Sequence, residues 1–165
     1  MSLWWERYSE RGQGCGGNGD RRIRLEQVTV FVDSSAWHAA ADAEDASQLR
    51  ASVRIEEFAG RLLTSDHVPI ERWYLASRRL GVNTAETLLN RIRRGIARVE
   101  ATTLADLEVA AQIREAFTGQ RLSIVDRTSW SVMRRLGIND AMAFDRDFSI
   151  YRFGLNRRQA FAVHT

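Results

Sequence analysis

The chain has 165 residues, about the length of one globular domain. Its 24 basic residues are all arginine and stand against 21 acids, so the net charge of +3 excludes a polycationic tail. Hydrophobic residues make up 44% of the chain, which is typical of a packed domain rather than of a disordered one. A single cysteine, Cys15, excludes a disulfide framework and a multi-cysteine zinc site. No apolar run approaches the roughly 20 residues of a membrane-spanning helix, and we expect a cytoplasmic protein without membrane contact.

Residues 1–27 differ in composition from the rest of the chain. The stretch from Gly12 to Asp20 contains five glycines and, apart from Cys15, no apolar residue. Such a segment buries too little surface to offset the entropy lost on ordering. We therefore predict a flexible, glycine-rich N-terminal extension over 1–27 and one folded domain over 28–165.

Within residues 28–165, short apolar runs alternate with helical patterns. Strands are predicted at 28–32, 61–64, 97–101, 141–144 and, less regularly, 160–163. Helices are predicted at 36–41, 45–58, 65–80, 83–92, 103–119 and 123–137, with Asp33, Ser65, Thr103 and Ser123 as caps before four of them. This alternation predicts an α/β fold, a three-layer α/β/α sandwich with a mainly parallel sheet of four to five strands.

Four acidic residues stand at positions that folding alone does not explain. Asp33 and Asp145 each end an apolar strand, and the carboxyl ends of parallel strands gather functional groups at one edge of the sheet. Glu71 shares a predicted helix face with Val68, which should look toward the core. Asp126 lies in the first turn of its helix, where the helix dipole favours an anion.

Carboxylates that meet in one pocket repel each other, and a divalent cation removes that conflict. Ligands that are all oxygen suit Mg²⁺ or Mn²⁺, which can activate water and hold a phosphate oxygen. Ser34, Ser35 and Asp147 lie near enough in sequence to orient ligands or water. Each acid also has a structural interpretation, because Asp33 and Asp126 could be helix caps, Asp145 a turn residue and Glu71 an ion-pair partner of Arg78.

Four motifs in order resemble the PIN-domain family, in particular the VapC-type toxins of bacterial toxin–antitoxin pairs. The resemblance covers about residues 28–155. The motifs are Val30-Phe-Val-Asp33-Ser-Ser-Ala-Trp37, Leu63-Thr-Ser65 followed by Glu71, Ser123-Ile-Val-Asp126, and Ala143-Phe-Asp145-Arg-Asp147-Phe148. No single motif is specific, but the four together, each in the expected structural setting, are fairly specific.

The resemblance implies a metal-dependent endoribonuclease that cleaves structured RNA, often transfer or ribosomal RNA, with Mg²⁺ or Mn²⁺. It implies Asp33, Glu71, Asp126 and Asp145 as the catalytic acids, with Asp147 as an auxiliary metal ligand. It also implies a homodimer that is inhibited by a cognate antitoxin. The family often has Thr or Ser where this chain has Ala143, so one hydrogen bond at the site is expected to be missing, and weak activity is compatible with that loss.

Other features leave alternatives open. Arg78, Arg79, Arg91 and Arg94 could contact an RNA backbone, although a solvated helix face explains them as well. The Asp145-Arg-Asp147 pair also resembles the nucleophile pair of haloacid-dehalogenase-type phosphatases, which need a lysine that this chain lacks. A PIN module that binds RNA or a partner without cleaving is the other alternative, to which Ala143 gives weak support.

Overall fold

A five-stranded parallel sheet forms the centre of the computed structural model, which describes residues 28–165. The order across the sheet is β3-β2-β1-β4-β5, and all four pairings are parallel. The predicted extension over 1–27, with Cys15, lies outside the described residues. The strands are β1 Val30–Val32, β2 Leu62–Ser65, β3 Arg98–Glu100, β4 Asp140–Met142 and β5 Ala162–His164.

Seven α-helices connect the strands of the described chain. They are α1 Ser34–Ala41, α2 Gln48–Glu57, α3 His67–Arg79, α4 Val82–Arg91, α5 Leu104–Ala116, α6 Ile124–Leu136 and α7 Asp147–Ile150. Crossovers between parallel strands are right-handed. The connections from β1 through β2 to β3 therefore cover one face with α1 to α4, and the return to β4 covers the other with α5 and α6. The predicted three-layer α/β/α architecture is confirmed.

The helix caps follow the sequence signals at three of four predicted positions. Asp33 caps α1, and Thr103 and Ser123 each form a capping box at the start of α5 and α6. Ser65 does not cap α3. It is the buried last residue of β2, because pairing with Glu100 of β3 extends that strand by one residue beyond the prediction.

The core packs against β1, whose three residues are completely buried. Trp37 and Trp130 lie in this core with their large aromatic side chains. Trp73 instead lies half-exposed on α3 and donates a hydrogen bond to Glu86 of α4. In residues 28–165, none of the helices has the length and apolar character needed to cross a membrane.

Candidate active site

The two strands that precede Asp33 and Asp145 are neighbours in the sheet. β1 pairs with β4, and between them the chain reverses its direction across the sheet, since β2 and β3 lie on one side of β1 and β4 on the other. The carboxyl ends of strands at such a switch point frame a crevice in which α/β proteins bind ligands. Asp33 follows β1 directly, whereas β4 ends at Met142, earlier than predicted, so that Asp145 lies three residues beyond it.

Asp33 is completely buried at this crevice. Its Oδ2 accepts hydrogen bonds from the backbone N–H of Ser35 at 2.9 Å and from the Ser35 hydroxyl at 2.7 Å. Its Oδ1 is buried without a hydrogen-bond partner in the described structure. Burial, and then the charge of Asp145, raise the pKa of Asp33 to about 7. One oxygen of this carboxylate therefore has no hydrogen-bond donor among the described residues.

Ser35 ties the ends of β1 and β4 together. Its hydroxyl donates to Asp33 and accepts from the backbone N–H of Phe144 at 3.0 Å. The backbone N–H of Asp33 in turn donates to the carbonyl of Met142 at 3.0 Å. Ala143, where the family resemblance favours a hydroxyl residue, is fully buried as part of the hydrophobic core.

Asp126 is almost completely buried in the first turn of α6. Its Oδ2 accepts from the backbone N–H of Ser123 at 2.9 Å, and the Ser123 hydroxyl accepts from the backbone N–H of Asp126 at 3.0 Å. The charge of Asp126 contributes to raising the pKa of four other carboxyl groups. These are Asp33, Glu71, Asp145 and Asp147.

Glu71 lies on the flank of α3 rather than on its core face. The buried face of α3 runs through Val68, Pro69, Arg72 and Ala76, one position away from the predicted face, so Glu71 is only half-buried. Burial raises its pKa, with smaller contributions from Asp126 and Asp145, and a hydrogen bond with Ser34 works in the opposite direction.

The structural alternative for Glu71 does not hold. In the described chain Glu71 forms no ion pair with Arg78, whose guanidinium lies 4.6 Å from the centre of the Tyr74 ring. Glu71 therefore interacts with Ser34, with the other carboxylates and with the charge of Arg72, and not with Arg78.

Asp145 and Asp147 form a turn at the start of α7. The backbone N–H of Asp147 donates to Oδ1 of Asp145 at 3.1 Å. Partial loss of solvent around the carboxyl group is the main cause that raises the pKa of Asp145, and the charge of Asp126 is the next. The residue as a whole is still exposed. The pKa of Asp147 is raised to about 6 by burial, by Asp126 and by Asp145.

The structure thus brings the five predicted carboxylates into one electrostatically coupled set, but not into a finished ligand shell. No group of three His, Cys, Asp or Glu side chains in residues 28–165 is arranged to hold a metal ion as it stands. Mutual repulsion of the carboxylates opposes such an arrangement. The donor set still fits a hard divalent cation, because all of its ligands are oxygens and Oδ1 of Asp33 is buried without a partner.

Asp106 shows what the same local motif does in a different environment. The sequence reasoning missed it, although Thr103-x-x-Asp106 on α5 has the spacing of Ser123-x-x-Asp126 on α6. Asp106 accepts from Ser131 and from Arg135, and these hydrogen bonds with those of Thr103 lower its pKa to about 2 despite burial. The capping box alone therefore does not show whether its aspartate belongs to the carboxylate set. The polar and charged side chains around the aspartate decide that.

A second residue that the sequence does not single out is Arg72, which is only 5% exposed. One of its terminal nitrogens lies 3.3 Å from Nδ1 of His38, and both Glu71 and Asp33 attract its charge. The spacing of four residues between Val68, Arg72 and Ala76 is the signal that places Arg72 on the buried stripe of α3.

The predicted RNA-binding arginines lie in the last turn of α3 and at or just beyond the end of α4. Arg78 and Arg79 are exposed in the last turn of α3, and Arg79 lies eight residues beyond Glu71, or about 12 Å along the helix. Arg94 is exposed after α4, whereas Arg91 is half-buried.

Comparison with known proteins places this arrangement in a family. The PIN domain family matches residues 30–154. The 23S rRNA-specific endonuclease VapC20 of Mycobacterium tuberculosis is 38% identical over 125 residues, which cover 75% of this chain and 95% of that protein. Ribonuclease VapC26 of the same organism is 27% identical over 117 residues, or 71% of this chain and 87% of that protein.

The fold agrees with this assignment. The crystal structure of M. tuberculosis VapC20, described as a toxin that cleaves the sarcin-ricin loop, superposes with a TM-score of 0.70 at 36% identity. It covers 73% of this chain and 93% of VapC20. Because the matched region contains β1, the switch point and all five carboxylates, the family assignment and the site concern the same residues. The chain belongs to the PIN domain family and, within it, to the VapC-type ribonucleases.

Proposed function

We propose that this protein is a divalent-metal-dependent endoribonuclease that cleaves ribosomal RNA and acts as the toxin of a toxin–antitoxin pair in the cytoplasm. The observation that carries the proposal is the coupled set of five carboxylates at the switch point of a VapC-type PIN fold. The relationship to VapC20 favours ribosomal over transfer RNA.

The residues of the site are proposed to have different roles. Asp33, Asp126 and Asp145 are proposed to hold Mg²⁺ or Mn²⁺, with Asp147 as an auxiliary ligand. Glu71 is proposed to ligate directly or to orient the attacking water, since it lies on the flank of α3 and contacts Ser34. A bound divalent ion supplies water of lowered pKa and neutralises charge on a phosphate oxygen. The Ser35 hydroxyl keeps Asp33 in place, because it donates one hydrogen bond to Asp33 and accepts another from the backbone N–H of Phe144.

The direct test is cleavage of a ribosomal RNA fragment by the Asp33→Asn and Asp145→Asn variants in Mg²⁺. We expect each to lose at least about a hundred-fold in rate, because each removes a charge that binds the cation. Glu108→Gln is the matched control, since Glu108 is an exposed carboxylate on α5, which covers the opposite face of the sheet from α3. Unchanged cleavage by both site variants would reject the site.

Two other outcomes would favour the alternatives. RNA binding without cleavage in Mn²⁺ would favour a silent module, to which the buried Ala143 gives the only support. Hydrolysis of a small phosphate ester that is lost in Asp145→Asn alone would favour a phosphatase. That enzyme class is opposed by the absence of lysine and by the two residues that separate β4 from Asp145.

We also propose a homodimer and an antitoxin partner. Large apolar side chains are exposed on the neighbouring helices α3 and α4, with Ile70 at 64%, Tyr74 at 51% and Val82 at 56% exposure. Clustered exposed apolar residues mark protein interfaces. We expect light scattering to give the mass of a dimer, and Ile70→Glu to reduce it to that of a monomer. The control Leu104→Glu changes a comparably exposed residue on the opposite face and should leave the dimer intact.

A further inference from the structure

Arg72, the buried arginine that follows Glu71 on α3, has no assigned role in the proposed reaction. We propose that Arg72 is a positioning residue of the metal site: its guanidinium offsets the mutual repulsion of Asp33 and Glu71 and holds the carboxylate set together before a cation binds. This inference rests on the proposed metal-dependent function. It concerns the positive charge of Arg72, which none of the five carboxylates provides.

The first observation is that the charge of Arg72 is buried without a direct counter-ion. The residue is 5% exposed, and its Nε is buried without a hydrogen-bond partner. In the described chain it forms no ion pair within 4.0 Å, whereas Arg135 binds Asp106 and Glu100 directly. An unpaired buried charge costs several kcal/mol, so the acids around Arg72 must supply its compensation from a longer distance.

The second observation is the identity of the charges that surround Arg72. Glu71 and Asp33 are the two groups whose charges favour the guanidinium, and Arg79 is the group that opposes it. Glu71 is the neighbour of Arg72 in the sequence of α3, and the charges of the two residues attract each other. Arg72 therefore acts on carboxylates that come from two different elements of the fold.

His38 fixes the position of the guanidinium. Arginine has only donors, so Nδ1 of His38, at 3.3 Å from a terminal nitrogen of Arg72, must be the acceptor. Burial and the charge of Arg72 lower the pKa of His38, which keeps the imidazole neutral and able to accept. The contact connects α1, which Asp33 caps, with α3, which carries Glu71.

The proposed role predicts effects of opposite sign in the two states of the site. Without a metal, Arg72 stabilises the protein, because it attracts carboxylates that otherwise repel each other. When a cation binds, Arg72 repels it and weakens its affinity. Arg72→Met should therefore lower the melting temperature of the metal-free protein and tighten Mn²⁺ binding, by roughly ten-fold for one unit charge near a divalent ion in a partly solvated site.

The experiment measures Mn²⁺ binding to the full chain by electron paramagnetic resonance of free Mn²⁺, together with melting curves in a chelator. Arg72→Lys keeps the charge and should restore an affinity close to that of the unmodified protein. Arg135→Met is the matched control, since it removes a paired arginine on α6 that, unlike Arg72, is not among the charges acting on Glu71. We expect it to lower the melting temperature without tightening Mn²⁺ binding.

Unchanged or weaker Mn²⁺ binding in Arg72→Met, or equal tightening in Arg135→Met, would overturn the inference. If Arg72→Met does not fold, the double variant with Asp33→Asn removes one negative charge along with the positive one and should fold again. A double variant that also fails to fold would assign Arg72 a packing role and reject the proposal. Failure of the unmodified protein to bind Mn²⁺ would instead reject the metal-dependent function itself, so the two failures are distinguishable.

Discussion

Asp33 uses its two carboxylate oxygens for different purposes. Oδ2 caps α1 through Ser35, as the sequence predicts for an aspartate between a strand and a helix. Oδ1 is buried without a partner and contributes nothing to the fold. The structural and the functional interpretations of this residue are therefore compatible, because each concerns a different atom.

This arrangement predicts an unusual dependence of stability on pH. The pKa of Asp33 is about 7 in the folded, metal-free protein and near 3.8 in the unfolded chain, so the folded state holds a proton that the unfolded state releases. The stabilisation is complete below pH 3.8 and is lost as the pH rises through 7. Asp147, with a pKa of about 6, acts in the same direction.

We therefore expect the melting temperature in a chelator to fall between about pH 5 and pH 8, and to fall less in Asp33→Asn. Asp106 does not interfere with this measurement, because its pKa of about 2 makes it lose stabilisation only below about pH 4. A melting temperature that rises over this interval, or an equal slope in Asp33→Asn, would contradict the assignment.

At the scale of the secondary-structure elements, α5 and α6 begin with the same capping box and end in different electrostatic environments. Asp106 of α5 pairs with Arg135, and Asp126 of α6 faces other carboxylates. The caps Thr103 and Ser123 are enough to predict both helices. Which of the two aspartates belongs to the site depends on contacts between elements that are distant in sequence, and local spacing does not contain that information.

The two boxes provide a matched pair of substitutions. Asp106→Asn removes the charge that binds Arg135 and should lower the free energy of unfolding by about 2 kcal/mol, with cleavage retained. Asp126→Asn keeps an oxygen that can accept from Ser123, so it should lose cleavage with little loss of stability. Urea unfolding in a chelator and RNA cleavage below the melting temperature measure the two effects. Equal stability losses in both variants would show that the boxes are equivalent.

The limits of the sequence prediction are visible in α3. The spacing of Glu71 from Val68 and the spacing of Arg72 from Val68 are both compatible with a helix face, and packing against α1 decides in favour of Arg72. Ser65 likewise resembles a helix cap until β3 pairs beside it. Element order, sheet class and the convergence of the acids could be predicted because they depend on local pattern and on handedness. The exact buried face of a helix and the exact ends of helices and strands could not be predicted, because they depend on contacts between residues that are distant in sequence.

At the scale of the whole molecule, the topology separates an acidic crevice from exposed arginines on α3 and after α4. Phosphate binding by arginine gives an affinity that falls with salt. In the non-cleaving Asp33→Asn background, we expect Arg79→Ala and Arg94→Ala each to weaken RNA binding. Each should also reduce the slope of log affinity against log salt by about 0.7 to 0.9 for every phosphate that the arginine neutralises.

The matched control for that measurement is Arg114→Ala, because Arg114 is exposed on α5, which covers the opposite face of the sheet. Its slope should equal that of the background protein. If all three arginine variants change the slope equally, RNA binding has no preferred face, and these arginines are solvated helix residues.

The double use of Asp33 has a consequence for how such a protein loses its activity over time. In a lineage no longer selected for RNA cleavage, folding alone would still require a side-chain oxygen at this position, because Oδ2 completes the start of α1. Asparagine keeps that oxygen and removes the charge of a completely buried carboxylate, which relieves the native state. Inactive descendants should therefore be recognisable by an asparagine in place of the aspartate after the first strand.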